Sequence, residues 1–365
     1  MQQKYTIIYA YRNRDAERVK LSLLSLERQS LKNFEVQFID YGSTADYANK
    51  IKTVIDSFPF VNYHYVAHEG LLWNKSKALN YGISKTITDY IIIADVDVLF
   101  APNFTEQIET FAKPTQFTLF KIGYLSKEVT PAVIEKSTFE LLKPKHYGDT
   151  FGIGLFPKAA LEKVKGLDTF FHFYGSEDED LNNRLKIAGY TLNRCEDDLL
   201  LHQWHPRYPQ KKKEKLTVIP RLSNIQRINQ RHFLSHKERK VIVPEQNEYW
   251  NECYSKSDYK ILKQPDATLI IDNIKAKIDY FLNYELIAYK GKVVTVILKE
   301  AVYYNTLKYK LKTLLKMQSQ PYLSMKQVND QVLKKIIFEY RNYNYAYIVS
   351  EDLKEIEFSI DLRSQ

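Results

Sequence analysis

Cysteine and glycine are scarce in this chain, at 2 and 11 residues of 365. The two cysteines, Cys195 and Cys253, have no metal-type spacing. They exclude a disulfide framework, and a reducing compartment fits. No stretch approaches the ~20 apolar residues that a membrane-spanning helix needs. Residues Met1 to Tyr5 run directly into a strand-like segment, so no signal peptide is expected. No internal repeat is present. Acid is not in excess either: the net charge is +9. That sign admits nucleic acid, an anionic membrane surface or a nucleotide as partner, and equally a surface merely rich in lysine.

What is present is the composition of a globular chain, 44% hydrophobic and long enough for two domains. Tyrosine is plentiful, at 28 residues, and composition assigns those rings no function. The first half alternates strand and helix signals, the pattern of an α/β fold with a mostly parallel sheet covered by helices. Strands are expected over Tyr5–Tyr11, Phe34–Ile39, Val61–Val66 and Tyr90–Ala94, with helices over Asp15–Gln29, Ala45–Ser57 and Trp73–Thr86. A second block begins near Phe117. It contains a short strand at Gly152–Phe156, a short helix at Lys158–Val164, an aromatic loop at Phe170–Tyr174, a helix from Ser176 to about Ala188, and a strand region at Thr191–Leu201. A basic stretch follows, from Lys211-Lys212-Lys213 past Arg231 and Arg239. Beyond about Val243 there are strand-like segments (Ala267–Ile271, Val293–Leu298, Tyr345–Ser350) and helix-like ones (Ile274–Asn283, Gln327–Tyr340). The expected division is therefore residues 1–245 and a small C-terminal α/β module, 246–365.

Asp95-Val96-Asp97 follows the buried run Tyr90–Ala94, so both carboxylates stand at a strand's carboxyl end, the edge where open α/β sheets bind ligands. Carboxylates at that spacing can hold a divalent cation with positions left open for phosphate oxygens. Acidic pairs also sit commonly in solvated turns, so the neighbouring signals matter. Tyr11-Arg12-Asn13-Arg14 follows the first strand, where arginines can fork onto phosphate. Asp40 ends the second strand, as a partner for a base or ribose or simply as a turn former. Lys75, in Trp73-Asn74-Lys75-Ser76-Lys77-Ala78-Leu79-Asn80, can bring a point charge to a diphosphate, or face water. Gly175-Ser176-Glu177-Asp178-Glu179-Asp180 places four acids at a helix start. Ser176 with Glu179 reads as a capping box, which accounts for part of that run. A carboxylate ionised near neutral pH among the four suits a general base. His202 and His205, past a strand, can add imidazole to the carboxylates as metal ligand, one or both.

Taken in order, these motifs resemble inverting GT-A glycosyltransferases over roughly residues 4–210. The nearest look is to the β-1,4-galactosyltransferase family and to bacterial family 2 enzymes, including chondroitin-polymerase-type domains. The resemblance implies a GT-A domain, a nucleotide-diphospho-sugar transferase of Rossmann-like build. It implies Asp97 as the main metal carboxylate, Asp95 beside it at the metal and supporting the nucleotide-sugar side, and His202, His205 or both completing the site around Mn²⁺ or Mg²⁺. It implies Tyr11, Arg12, Arg14, Asp40, Lys75 and Asp95 for the nucleotide, and Asp178 as catalytic base. Glu177, Glu179, Tyr174 and Trp204 fall beside the sugars. There are departures. Ala10 stands where proline is usual, and Tyr41 where a second acid is common. Phe173-Tyr174-Gly175-Ser176 replaces a Trp-Gly-Gly type run that shapes the acceptor pocket.

The expectation is a metal-dependent inverting glycosyltransferase. It uses a UDP-sugar of galactose, N-acetylgalactosamine or N-acetylglucosamine type and a glycan or glycolipid acceptor, in surface polysaccharide synthesis. It is expected in the cytoplasm, with peripheral association at the inner face of the membrane, and without a specific nucleic-acid partner. A nucleotidyltransferase would share the strand-end acids but should show a glycine-rich phosphate loop, and Tyr9–Asp15 has no glycine. The other rival is an inactive GT-A domain that binds glycan or scaffolds an assembly. Intact acids at 95, 97 and 178 speak against it.

Overall fold

The structure, a computed structural model, describes residues 4–206, 215–245, 249–315, 317 and 320–363. The chain forms two compact units. One comprises Met1–Val66, Trp73–Arg207 and Gln226–Cys253; the other comprises Ala67–Leu72, Tyr208–Ile225 and Tyr254–Gln365.

The first unit opens as a parallel sheet. Strands β1 (Tyr5–Tyr11), β2 (Phe34–Asp40), β3 (Val61–Tyr65) and β4 (Tyr90–Ala94) lie in the order β3-β2-β1-β4. Helices α1 (Ala16–Glu27), α2 (Ala45–Ile55) and α3 (Lys75–Lys85) connect them. Strands β1 and β2 are nearly continuous apolar runs because both of their faces are covered, and Ile7, Tyr9, Val36, Phe38 and Ile92 share one core. Helix α1 adds Val19, Leu23 and Leu26 at helical spacing, each worth about 1.5–3 kcal/mol when buried. Helix α3 lies unusually close to the sheet. A Cβ on Gly82 would collide with Ile8 Cγ2, so glycine sets that approach.

The chain then passes through β5 (Val98–Phe100), α4 (Phe104–Gln107), β6 (Gln116–Tyr124), α5 (Pro131–Lys136), β7 (His146–Pro157) and α6 (Lys158–Lys163). It continues through α7 (Glu177–Ile187), β8 (Thr191–Cys195), β9 (Leu200–His202) and α8 (Ile225–Arg239). Strand β7 runs antiparallel to β4 and to β6, and β5 antiparallel to β9. The other pairings of this sheet are parallel, so it is mostly parallel, as the alternation of strand and helix signals predicts.

Several boundaries differ from the sequence expectation. The helix expected from Trp73 starts at Lys75, because Asn74 caps it: its side chain accepts from Lys77 N. The short strand at Gly152–Phe156 is the inner end of the longer β7. The Thr191–Leu201 strand is two strands interrupted at Glu196–Leu199. Part of the basic stretch is α8, while Lys211–Lys213 lie outside the described residues.

The second unit carries a four-stranded sheet, β10 (Ala267–Asp272), β11 (Val293–Lys299), β12 (Tyr345–Val349) and β13 (Glu355–Asp361), in the order β10-β11-β13-β12. Its helices are α9 (Lys256–Leu262), α10 (Lys275–Tyr280), α11 (Leu307–Leu314) and α12 (Met325–Lys335). Val296, Leu298, Phe358, Val328 and Val332 are buried. Ala67–Leu72 belong to this unit: Tyr347 N donates to Gly70 O at 2.8 Å. Gly70 has φ +78°, and a Cβ there would lie 2.8 Å from Tyr347 N, so the close approach needs glycine. No helix among the described residues is long and apolar enough to cross a membrane.

Candidate active site

Asp95 and Asp97 occupy the tight turn between β4 and β5, closed by Val98 N donating to Asp95 O at 3.2 Å. The close packing of α3 brings its first residue, Lys75, to this turn, where Nζ donates to Asp95 Oδ1 at 2.8 Å. Burial works against the Lys75 charge. Asp95, Glu177 and Asp178 overrule it and hold the ammonium protonated above the ordinary lysine range. Burial likewise pushes the Asp95 carboxyl up, but Lys75, with His202 and Arg14, brings it below the usual carboxylate range. Lys75 thus joins two motifs about 80 residues apart, the strand-end acids and the acids of α7.

Asp97 faces the two histidines. His202 Nε2 lies 3.6 Å from Asp97 Oδ1 and His205 Nε2 lies 3.5 Å from Asp97 Oδ2. One ligand atom from each of the three falls within 4.8 Å of the others. The direct contacts among the three are too long for hydrogen bonds, and Asp97, His202 and His205 would be the residues to hold a divalent cation. The donor set suits a divalent ion that accepts nitrogen. It fits Mn²⁺ better than Mg²⁺, which prefers oxygen ligands and retained water. Asp95 is outside this group and is engaged with Lys75 instead.

The four acids after Gly175 divide by role. Asp180 is fully buried: Oδ2 accepts from Arg184 Nε at 2.7 Å, and Oδ1 pairs with His236 Nδ1 at 2.8 Å. Glu177 Oε2 accepts from Gly175 N, and Glu179 Oε2 from Ser176 Oγ. The expected capping box is not formed. Ser176 has φ +67°, a left-handed conformation, and its hydroxyl donates to Glu179 instead of accepting a helix N–H. Asp178 Oδ1 accepts from Glu179 N at 2.9 Å. Its Oδ2 abuts Gly152 of β7, where a Cβ would stand 3.0 Å away. Burial and the adjacent Asp178 raise the Glu177 carboxyl, with Lys75 opposing. Glu177, Asp178 and Glu179 line a cleft of about 410 Å³ with Phe151, Tyr174 and Gln226. Tyr174 and Trp204 are 65% and 46% exposed.

The loop after β1 is pinned rather than loose. Asn13, at φ +47°, accepts from Thr44 N through Oδ1, and its own N donates to Ser43 Oγ. Arg14 is exposed and Arg12 half-buried. Tyr11 is wholly buried against Phe38, and its hydroxyl donates to Arg14 O. Asp40 is also wholly buried, with Oδ1 accepting from Ser43 N and Oδ2 from Tyr63 Oη. Burial raises its carboxyl, against the pull of those bonds and of Arg12. Here Asp40 shapes the 41–44 turn.

Some functional positions carried no sequence signal of their own. Asn74 Nδ2 donates to Thr169 O, and Asn80 exchanges two bonds with the backbone of Leu167. Both asparagines of the Asn74–Asn80 run therefore fasten α3 to the loop that leads into α7. Helix α8 closes the arrangement. Asn229 Nδ2 donates to His172 O and Tyr174 O, and His232 Nε2 lies 2.7 Å from Asp168 Oδ2. Asp168, His232 and His236 form a second His–carboxylate group. Its members are already hydrogen-bonded to one another and to Asp180.

Residues 6–163 match the family model for glycosyl transferase family 2, and residues 134–208 match that for the N-terminal domain of galactosyltransferase. The matched span, residues 6–208, therefore resembles a sugar-transferring domain. More particularly, residues 6–163 are similar to glycosyl transferases of family 2. Among solved structures, it resembles S. aureus TarS at 14% identity and TM-score 0.42, covering 55% of this chain and 37% of that one. A shorter S. aureus TarS structure, residues 1–349 in complex with UDP-GlcNAc, has 14% identity and TM-score 0.42, with coverage of 56% and 60%. The mannosyltransferase PcManGT from Pyrobaculum calidifontis, in complex with GDP-Man and Mn²⁺, has 14% identity and TM-score 0.43, with coverage of 93% and 88%. No curated protein matches the chain.

Proposed function

We propose that the chain is an inverting glycosyltransferase. It takes a sugar of galactose, N-acetylgalactosamine or N-acetylglucosamine type from a UDP-sugar to a hydroxyl of a glycan or glycolipid. The observation that carries this reading is Lys75, set between Asp95 and the Glu177–Asp178 pair. An ammonium suited to a diphosphate is electrostatically coupled to a carboxylate suited to a base, and that carboxylate lines the cleft. Asp178 is the base by its surroundings: Asp180 is committed to Arg184 and His236, Glu179 to Ser176, and Glu177 holds its proton more tightly.

The acceptor hydroxyl donates its hydrogen bond to Asp178. Its oxygen attacks the anomeric carbon from the face opposite the leaving group. The new glycosidic C–O bond forms as the bond to the β-phosphate oxygen breaks, UDP departs and the proton rests on Asp178. Lys75, with Arg12 or Arg14, faces the charge growing on the diphosphate. A divalent cation held by Asp97, His202 and His205, Mn²⁺ in preference to Mg²⁺, supplies further positive charge there when bound. Tyr174 and Trp204 offer aromatic faces to the sugars. A role in surface polysaccharide assembly on the cytoplasmic side rests on the family resemblance alone.

Release of UDP from a panel of UDP-sugars, with and without Mn²⁺, tests the proposal. Asp178→Asn keeps the volume and removes the basicity, so kcat should fall about 10²–10⁴-fold with KM for the donor little changed. A near-normal kcat would transfer the role to Glu177 or Glu179. Turnover of no UDP-sugar by the wild type, with any acceptor or by hydrolysis, would reject the donor assignment.

A further inference from the structure

Helix α11 of the second unit is built inside out. At 100° per residue, Leu307, Leu311, Leu314 and Leu315 share one stripe roughly 100° wide. An amphipathic helix of a globular unit turns such a stripe to the core. Here the stripe faces outward, with the four leucines 77%, 55%, 77% and 66% exposed. The inward residue is Tyr309, seated among Tyr303, Tyr304 and Tyr322 at ring separations of 5.7, 5.6 and 5.0 Å. Thr306 fixes the start of the helix by accepting from Tyr309 N. The aromatic base and the cap hold the leucines outward. Part of the tyrosine excess, to which composition assigns no role, makes this seat.

Charge identifies what covers the stripe. Lys308 and Lys310, both exposed, stand on its two borders. A second copy packed face to face would bring the lysine borders of both copies together, a like-charge arrangement. An anionic bilayer answers both features, with hydrocarbon for the leucines and lipid phosphates for the ammonium groups at the margins. Met317, just beyond the helix and 54% exposed, extends the apolar surface. We propose that α11 is a membrane-docking element that lays its leucine stripe into an anionic lipid surface, with Lys308 and Lys310 at phosphate level. This surface is separate in sequence from the basic Lys211–Arg239 stretch, and its use does not depend on the identity of the sugar donor.

The test is co-sedimentation of the full chain with vesicles of phosphatidylglycerol and phosphatidylcholine in equal parts, against vesicles of phosphatidylcholine alone. The wild type should partition onto the mixed vesicles, less onto the neutral ones, and less in high salt. The pair Leu311→Ser and Leu314→Ser should lower the partition coefficient about 10- to 100-fold. Lys308→Glu with Lys310→Glu should lower it on mixed vesicles only. Both pairs alter exposed side chains, and circular dichroism reports whether either disturbs the fold. Wild type that ignores mixed vesicles overturns the proposal, as does a leucine pair that binds undiminished. A wild-type dimer that the leucine pair converts to monomer, with vesicle binding unchanged, assigns the stripe to a second copy and overturns it equally.

Discussion

Glu177 has more affinity for its proton in the folded chain than its ordinary value of 4.5 gives it, because it is buried beside Asp178. The folded state then binds more protons than the unfolded state over the interval above that value. Stability contributed by this group is full below 4.5 and is lost as pH rises through the raised folded value. Glu177→Gln removes the ionisation. The variant should gain in Tm over the wild type as pH climbs from about 4 to 8, with little difference at the acid end. Calorimetry at several pH values checks this, and a gap that narrows with rising pH would contradict it. At this scale the sequence is uneven in what it discloses. Asp95 and Asp97 are legible because an apolar strand ends just before them. The four acids of α7 are legible as a group but not as individuals. What distinguishes Asp180 from Asp178 is His236, which lies 56 residues further on. No local pattern predicts that pairing. Tyr11 and Asp40 face the core because their hydroxyl and carboxyl groups find partners there, which strand-end position alone does not predict.

Among the elements, α8 shows most plainly why some of the fold was hidden. It reads as a basic stretch because its inner face is polar: Asn229 and His236 are buried and His232 partly so. Hydrophobic periodicity has nothing to register there. Strands β1, β2 and β4 read clearly for the opposite reason, as apolar runs between turn residues. Strand β13 alternates Ile356, Phe358 and Ile360 with polar residues, and its charged positions hid it in the sequence. The polar chain from α8 through His236 and Asp180 ends on Arg184, whose side chain has no exposed surface. Asp180→Asn leaves that guanidinium buried without its carboxylate. The expected loss is about 3–5 kcal/mol in denaturant unfolding, whereas Asp178→Asn two residues earlier should lose little. Equal losses in the two variants would remove the distinction in structural role between Asp180 and Asp178.

At the scale of the whole molecule, the two units are not successive in the sequence. Residues 67–72 and 208–225 leave the first unit and belong to the second. Leu71 and Leu72 are 2% and 1% exposed. Truncation at residue 253 strips the cover from both, each worth about 1.5–3 kcal/mol of burial. The fragment should aggregate, or unfold at a lower denaturant midpoint than the full chain. A soluble fragment with full UDP-sugar turnover would show the first unit to be autonomous.

The Gly70–Tyr347 contact also sets a schedule for synthesis. Gly70 leaves the ribosome 277 residues ahead of the strand that receives it. At about 5–20 residues per second, that is a wait of roughly 15–55 s. The strands of the first sheet can pair during that interval, but Leu71 and Leu72 stay exposed on the nascent chain. They are a natural place for a chaperone to hold until the last strands emerge.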